Sequence, residues 1–150
     1  MNFGKILKNV MVEERISAKN LAAKTGITAQ SITNYRHNRT IPTFDYVMWM
    51  FEALDYGILL VKPDNSMILV DNFKQCLNNI MDYEQWDRHD LRIHIGVSKS
   101  TINDYLDNGI APKLGRVDEI FSVLGYGLAA AKGNKGVWIC RKEVCENGNK

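Results

Sequence analysis

Apolar side chains at Phe3, Ile6, Leu7, Val10 and Met11 recur at three- and four-residue intervals, the spacing of one face of an α-helix. The same pattern returns at Phe73, Cys76, Leu77, Ile80 and Met81. After each of these predicted helices comes a capping residue, Ser17 in one case and Asp87 in the other, then a short helix that stops at Gly26 or Gly96. A third helix is predicted from Thr28 to Asn38, and again from Ser98 to Asn108, each opened by a hydroxyl that can cap it. Loops holding Pro42 and Pro112 break the chain. Fourth helices follow, carrying Val47, Met50, Phe51 and Leu54, then Val117, Ile120, Phe121 and Leu124. After each Tyr-Gly pair the period shortens. Ile58–Lys62 and Met67–Val70 flank a Pro63-Asp64-Asn65-Ser66 turn, and Leu128–Lys132 and Val137–Arg141 flank Gly133-Asn134-Lys135-Gly136, so each half is expected to end in a β-hairpin.

Two runs of the same pattern imply a repeat. Shifting the chain against itself by 70 positions aligns Met1–Lys62 with Asp71–Lys132 without a gap, and eighteen of the 62 pairs are identical. They include Asn2/Asn72, Leu21/Leu91, Gly26/Gly96, Ile32/Ile102, Tyr35/Tyr105, Pro42/Pro112 and Tyr56-Gly57/Tyr126-Gly127. The expected fold is therefore mainly α with small β-hairpins, a tandem duplication of a unit of four helices plus a hairpin. The units are expected at residues 1–70 and 71–145, with a frayed polar tail at 146–150.

Composition narrows the function. Of 150 residues 45% are hydrophobic and 24% charged, the balance of an ordinary globular chain. No apolar run is long enough to cross a bilayer, and the first residues lack the pattern of a secretory signal, which points to a cytoplasmic protein without a membrane partner. Three cysteines (Cys76, Cys140 and Cys145) show no CxxC spacing, and His37, His89 and His94 have no metal-ligand spacing, so neither a metal site nor a disulfide framework is expected. No phosphate-binding glycine loop and no nucleophile motif occurs; an enzyme is not expected, and no cofactor. Trp49, Trp86 and Trp138 are expected to serve packing. The net charge of +2 permits a polyanionic partner, and it resides in residues 1–70, which hold eight Lys/Arg against six Asp/Glu.

The segment LAAKTGITAQSITNY at 21–35 has the form of a helix-turn-helix: Gly26 allows the turn a positive φ, while Leu21, Ile27, Ile32 and Tyr35 face a core and fix the second helix against the first. The outer side of that second helix is then free to enter a major groove about 12 Å wide.

On these residues, with Asn38, Pro42 and the Leu54-x-Tyr56-Gly57 ending, the chain resembles the lambda-repressor-like (Xre/Cro-type) helix-turn-helix family over about residues 3–57. It does so again over 73–127, through LRIHIGVSKSTINDY. The family's usual glycine after the recognition helix is replaced by Asn38 and Asn108, residues that tolerate a left-handed conformation. The resemblance implies a recognition helix from Thr28 to Asn38 whose Ala29, Gln30, Thr33 and Asn34 face base edges, with Gln30 and Asn34 suited to adenine. It also implies backbone contacts from Ser31, Arg36, His37 and Arg39, and from Ala18 and Lys19 on the preceding helix. In the second unit the matching residues are Lys99, Ser100, Asn103 and Asp104. Arg88 and Lys113 are further candidates, but Asp104 and Asp107 would repel phosphate.

The expected function is a sequence-specific, DNA-binding transcriptional regulator. It would be a repressor of phage or mobile-element type whose two units act as an intramolecular pseudo-dimer on double-stranded DNA. The competing expectation is a protein-interaction module, antitoxin-like or an inhibitor, held to a protein partner or a second copy through the hairpins.

Overall fold

The structure is a computed structural model, which describes residues 2–142. Met1 and 143–150, and with them Cys145, the tail expected at 146–150 and the end of the expected second unit, lie outside the described residues. Twelve elements follow in chain order: α1 (Phe3–Glu13), α2 (Ala18–Thr25), α3 (Ala29–Arg36), α4 (Phe44–Ala53), β1 (Gly57–Val61) and β2 (Met67–Leu69), then α5 (Phe73–Glu84), α6 (Arg88–Ile95), α7 (Lys99–Asp107), α8 (Leu114–Leu124), β3 (Gly127–Lys132) and β4 (Lys135–Cys140). The helix boundaries follow from local chemistry. Asn2, Ser17, Thr28, Thr43, Asn72, Asp87 and Ser98 each accept a backbone N–H from the first turn of the helix they precede. Asp87 and Asp90 complete a reciprocal capping box. Gly26 and Gly96 close α2 and α6 in the left-handed conformation, at φ 81° and 69°.

Three sequence expectations need correction. The third helix of each half is shorter than expected, ending at Arg36 and at Asp107. Asn38 is left-handed as expected (φ 57°), but Asn108 is not. There α7 runs one position longer than α3, so the left-handed residue becomes Gly109 (φ 66°), which adopts it with no Cβ penalty. Trp49 packs only at the surface and not in the core: it lies 48% exposed on α4, against Tyr46.

The hairpins pair with each other. They form one antiparallel sheet in the order β2-β1-β3-β4, with β1 and β3 at its centre. The β1–β3 register runs from Gly57 opposite Ala131 to Val61 opposite Gly127, centred on Leu59 opposite Ala129. Those two central residues are 70 positions apart, the offset at which the sequence aligns with itself. A second contact has the same property: Thr43 bridges Lys113, the Phe44 N–H donates to the Pro112 carbonyl at 2.9 Å, and the Leu114 N–H donates to the Pro42 carbonyl at 2.8 Å. Tyr56 donates to Glu14 at 3.2 Å and Tyr126 to Glu84 at 2.8 Å, again 70 positions apart. An approximate two-fold relation through Leu59/Ala129 and Thr43/Lys113 describes all these contacts.

One apolar core runs through both halves. Ile58 and Leu60 of β1 and Leu128 and Ala130 of β3 point from the sheet into it, beneath α4 and α8. At the junction Phe44 packs on Phe73 with ring centroids 5.4 Å apart, and Phe73 meets Tyr105 edge-on at 5.2 Å. The relation between halves is not perfect. Glu14, at the end of α1, takes Lys132 at 2.6 Å and Lys135 at 3.0 Å from the far hairpin, besides the Tyr56 hydroxyl. These contacts hold the Glu14 carboxyl at about 2, well below the ordinary 4.5, with the Lys132 ammonium as the first cause. In the other half no ion pair of Glu84 with Lys62 is found among the described residues. Lys62 lies over the Tyr83 ring instead, at 5.7 Å.

Candidate nucleic-acid interface

The geometry of α2 and α3 starts at the turn between them. Thr25 donates its hydroxyl to the Leu21 carbonyl at 2.8 Å and accepts the Ile27 N–H at 3.1 Å, which ties the glycine turn at both ends. Leu21, Ile27, Ile32 and Tyr35 are all buried, so α3 has a fixed inner face and its remaining side chains form an outer edge. On that edge Gln30 is exposed, and Ala29, Ser31, Thr33 and Asn34 are half-buried. Gln30 Nε2 donates to Asn34 Oδ1 at 3.1 Å, one helical turn away. The pairing orders both amides and leaves Gln30 Oε1 as an acceptor and Asn34 Nδ2 as a donor, the two kinds of group an adenine edge requires. Ser31 is bound locally, its hydroxyl accepting from the Thr28 hydroxyl at 2.9 Å and its N–H capped by Thr28 at 3.1 Å.

Basic groups follow immediately. Arg36 closes α3, and His37, Arg39 and, at the start of α2, Lys19 are exposed. Among the described residues no carboxylate pairs with any of them, and the buried Nε of Arg36 has no hydrogen-bond partner. No acidic residue lies between Thr28 and Arg39. The edge of α3 is thus uncharged along its length and basic at its end.

What holds the end of α3 was missed in the sequence. Asn38 Oδ1 accepts the Gly4 N–H at 3.0 Å, and Asn38 Nδ2 donates to Asn2 Oδ1 at 2.7 Å, while Asn2 Oδ1 also caps α1 through the Lys5 N–H at 3.1 Å. The first turn of α1 therefore abuts the last turn of α3. A Cβ on Gly4 would lie 2.7 Å from the carbonyl oxygens of Tyr35 and Arg36 and from Asn38 Oδ1. One available signal was the glycine itself, unfavourable inside an amphipathic helix unless something passes close by.

The corresponding edge in the second half differs in kind. Lys99, Ser100 and Lys113 are exposed and free of carboxylates among the described residues. Arg88 is engaged: its Nη1 donates to Asn103 Oδ1 at 3.0 Å and to Asp107 Oδ2 at 2.7 Å, and its Nη2 to Asp107 Oδ1 at 3.0 Å. The guanidinium keeps the Asp107 carboxyl below the ordinary aspartate range. Asp104 accepts from Asn108 Nδ2 at 2.9 Å. Of the second-half candidates, then, Arg88 and Asn103 are brought together, but into a network closed by an acid.

Comparison with known proteins covers the segment that carries the first of these two edges. Residues 6–55 match the Cro/C1-type HTH DNA-binding domain. The matched segment begins within α1 and ends after α4, so it contains the whole α2–turn–α3 arrangement. A Cro/C1-type segment makes the chain a candidate DNA-binding regulator, and α2 and α3 are the helix-turn-helix pair within it. No curated protein and no solved structure matches the chain. Among the described residues no helix is long and apolar enough to cross a membrane, and no group of His, Cys, Asp or Glu could hold a metal ion.

Proposed function

We propose that the protein is a sequence-specific DNA-binding transcriptional repressor of phage or mobile-element type that presents two helix-turn-helix units as an intramolecular pseudo-dimer. The carrying observation is the outer edge of α3: a preorganised Gln30–Asn34 amide pair followed by Arg36, His37 and Arg39, on a helix whose inner face is pinned in the core. Gln30 and Asn34 read bases, Ala29 and Thr33 contact them through small apolar groups, and Thr28, Ser31, Lys19, Arg36, His37 and Arg39 position the helix on phosphates. Bound at a promoter, the protein represses by occlusion.

Support for the pseudo-dimer comes from the 70-residue offset shared by the eighteen sequence identities, the β1–β3 register and the Thr43–Lys113 contact. Each contact exchanges equivalent residues, as the isologous interface of a two-fold dimer does. Duplication and fusion of a dimeric ancestor accounts for this with one event, and the units then divide near residue 70. The slope of the salt response provides the test. Replacing Arg36 and Arg39 with glutamine reduces the slope of log affinity against log salt by roughly two, one per lost phosphate contact. An unchanged slope with undiminished affinity removes α3 from the interface.

A second reading has its own observation. Edge strand β2 exposes Met67, Ile68 and Leu69 in succession, at 56%, 36% and 66%. An unpaired apolar edge invites another strand, so a homodimer through the hairpins or a protein partner fits there. Sedimentation of the wild-type protein and of Ile68→Lys at equal concentration separates this from a monomeric DNA-binding protein. A change of mass in the variant favours the interaction module.

A further inference from the structure

We infer that Asp107 determines how many DNA half-sites the protein reads: by holding Arg88, which in turn occupies Asn103, it keeps the second helix-turn-helix off DNA, and the wild-type protein grips through α3 alone. This rests on the DNA-binding reading of α3 proposed above.

The comparison between halves isolates the residue. Position by position, Arg88, Asn103, Asp104, Leu106, Asp107 and Gly109 stand where the first half has Ala18, Thr33, Asn34, Arg36, His37 and Arg39. The second half has lost the basic groups at and beyond the end of α3; it has gained Lys99 and Lys113, both exposed, and at the start of α6 a further basic group, Arg88. That arginine is in the right place to meet a phosphate but is already bound. Three of its N–H donors go to Asn103 and Asp107, two of them in a fork onto both carboxylate oxygens. A phosphate approaching it meets the Asp107 carboxylate on the same guanidinium, so the local attraction is cancelled. Asn103 is withdrawn by the same guanidinium, through a separate hydrogen bond. Its Oδ1 is the acceptor that an adenine amino group would need, and Arg88 occupies it.

The pair does little to hold the fold. The two side chains are 45% and 53% exposed, a setting in which ion pairs contribute little to stability. Helix α7 is held independently by its Ser98 cap and by the buried Ile102, Tyr105 and Leu106. Asp107→Asn therefore leaves the unit folded while converting a carboxylate into an amide that no longer neutralises Arg88. Freed of the carboxylate, Arg88 turns to a phosphate and gives up Asn103, on a head tethered to one already bound, so a high effective concentration amplifies even a weak second contact.

The experiment footprints wild type, Asp107→Asn and the double variant Asp107→Asn/Arg88→Ala on duplexes selected from random DNA, with affinity measured across a salt series. Far-UV circular dichroism verifies that all three are folded. Wild type is expected to protect one half-site. Asp107→Asn extends protection by roughly one helical turn, steepens the salt slope by about one and tightens binding at least roughly tenfold. The double variant returns to the wild-type footprint, which shows that Arg88 acts and that loss of an acid alone does not suffice. Two half-sites protected by wild type, or no change in footprint and slope in Asp107→Asn, overturns the inference while leaving α3 as the reading helix. Failure of wild type to bind any duplex at low salt is a different result, and it overturns the DNA-binding reading itself.

Discussion

Gly4→Ala tests the seating of α3 with a single methyl group. On an open helical face this exchange stabilises by up to about 1 kcal/mol, because alanine is the better helix former. At position 4 the added Cβ meets three oxygens at 2.7 Å, two of them backbone carbonyls of α3 that cannot rotate away. Relief requires α1 to move several tenths of an ångström from α3, which also stretches the 3.0 Å bond from the Gly4 N–H to Asn38. Overpacking of this kind costs about 1–3 kcal/mol and loss of the bond about 1 kcal/mol more. After the gain in propensity, a net loss of about 2 kcal/mol is expected, which is roughly 4–8 °C in Tm for a chain of this size. Urea and thermal unfolding followed by circular dichroism measure it. DNA affinity measured well below the transition should fall as well, because the helix end carrying Arg36 is displaced. A Gly4→Ala protein as stable as wild type, or more so, refutes the close approach of the two helices. Lys74 occupies the equivalent place in the second half, so Lys74→Ala serves as the control and should change stability little.

Three further outcomes are expected. Glu14, with a folded pKa of about 2 against an ordinary 4.5, contributes stability that is complete above about pH 4.5 and lost as pH falls towards 2. Allowing for its partly exposed lysine partners the contribution is about 1–3 kcal/mol, so the urea midpoint of wild type should fall between pH 5 and 3 more steeply than that of Glu14→Gln. Phe44→Ala empties a fully buried site at the junction of the halves and should cost about 3–5 kcal/mol. Fluorescence of single-tryptophan proteins keeping only Trp49 or only Trp86 should report one shared transition, and a shift of the Trp49 signal alone would show that the halves unfold separately. Replacing both Gln30 and Asn34 with alanine should remove about 1–3 kcal/mol of discrimination against a changed base while sparing nonspecific affinity, as read by competition between matched and mismatched duplexes.

The helices were legible in the sequence because their signals are local. Phe3, Leu7, Val10 and Met11 mark a buried face by spacing alone, and Ser17, Thr28, Asp87 and Ser98 cap the helices they were expected to cap. Local signals also explain the errors. The left-handed residue after α7 depends on where the last helical hydrogen bond falls, and one extra residue moves it from Asn108 to Gly109. Side-chain pairing on the candidate edge was illegible for another reason. Arg88 and Asp107 lie 19 positions apart on different helices, and each alone reads as a solvated charge. The contacts of Glu14 with Lys132 and Lys135 span 118 and 121 positions, a separation at which sequence pattern carries no information. The hairpins were visible as strands, but their order was not, since the exposed or buried status of β1 and β3 depends on the partner each finds.

Selection of bound sites from random duplex DNA by wild-type protein at near-physiological salt, repeated with Gln30→Ala/Asn34→Ala, tests the reading role of α3 most directly. Wild type should enrich a defined half-site, and the double variant should still bind duplex but lose or change the preferred bases. Absence of any enriched sequence with wild type, or the same preferred bases from both proteins, would contradict it.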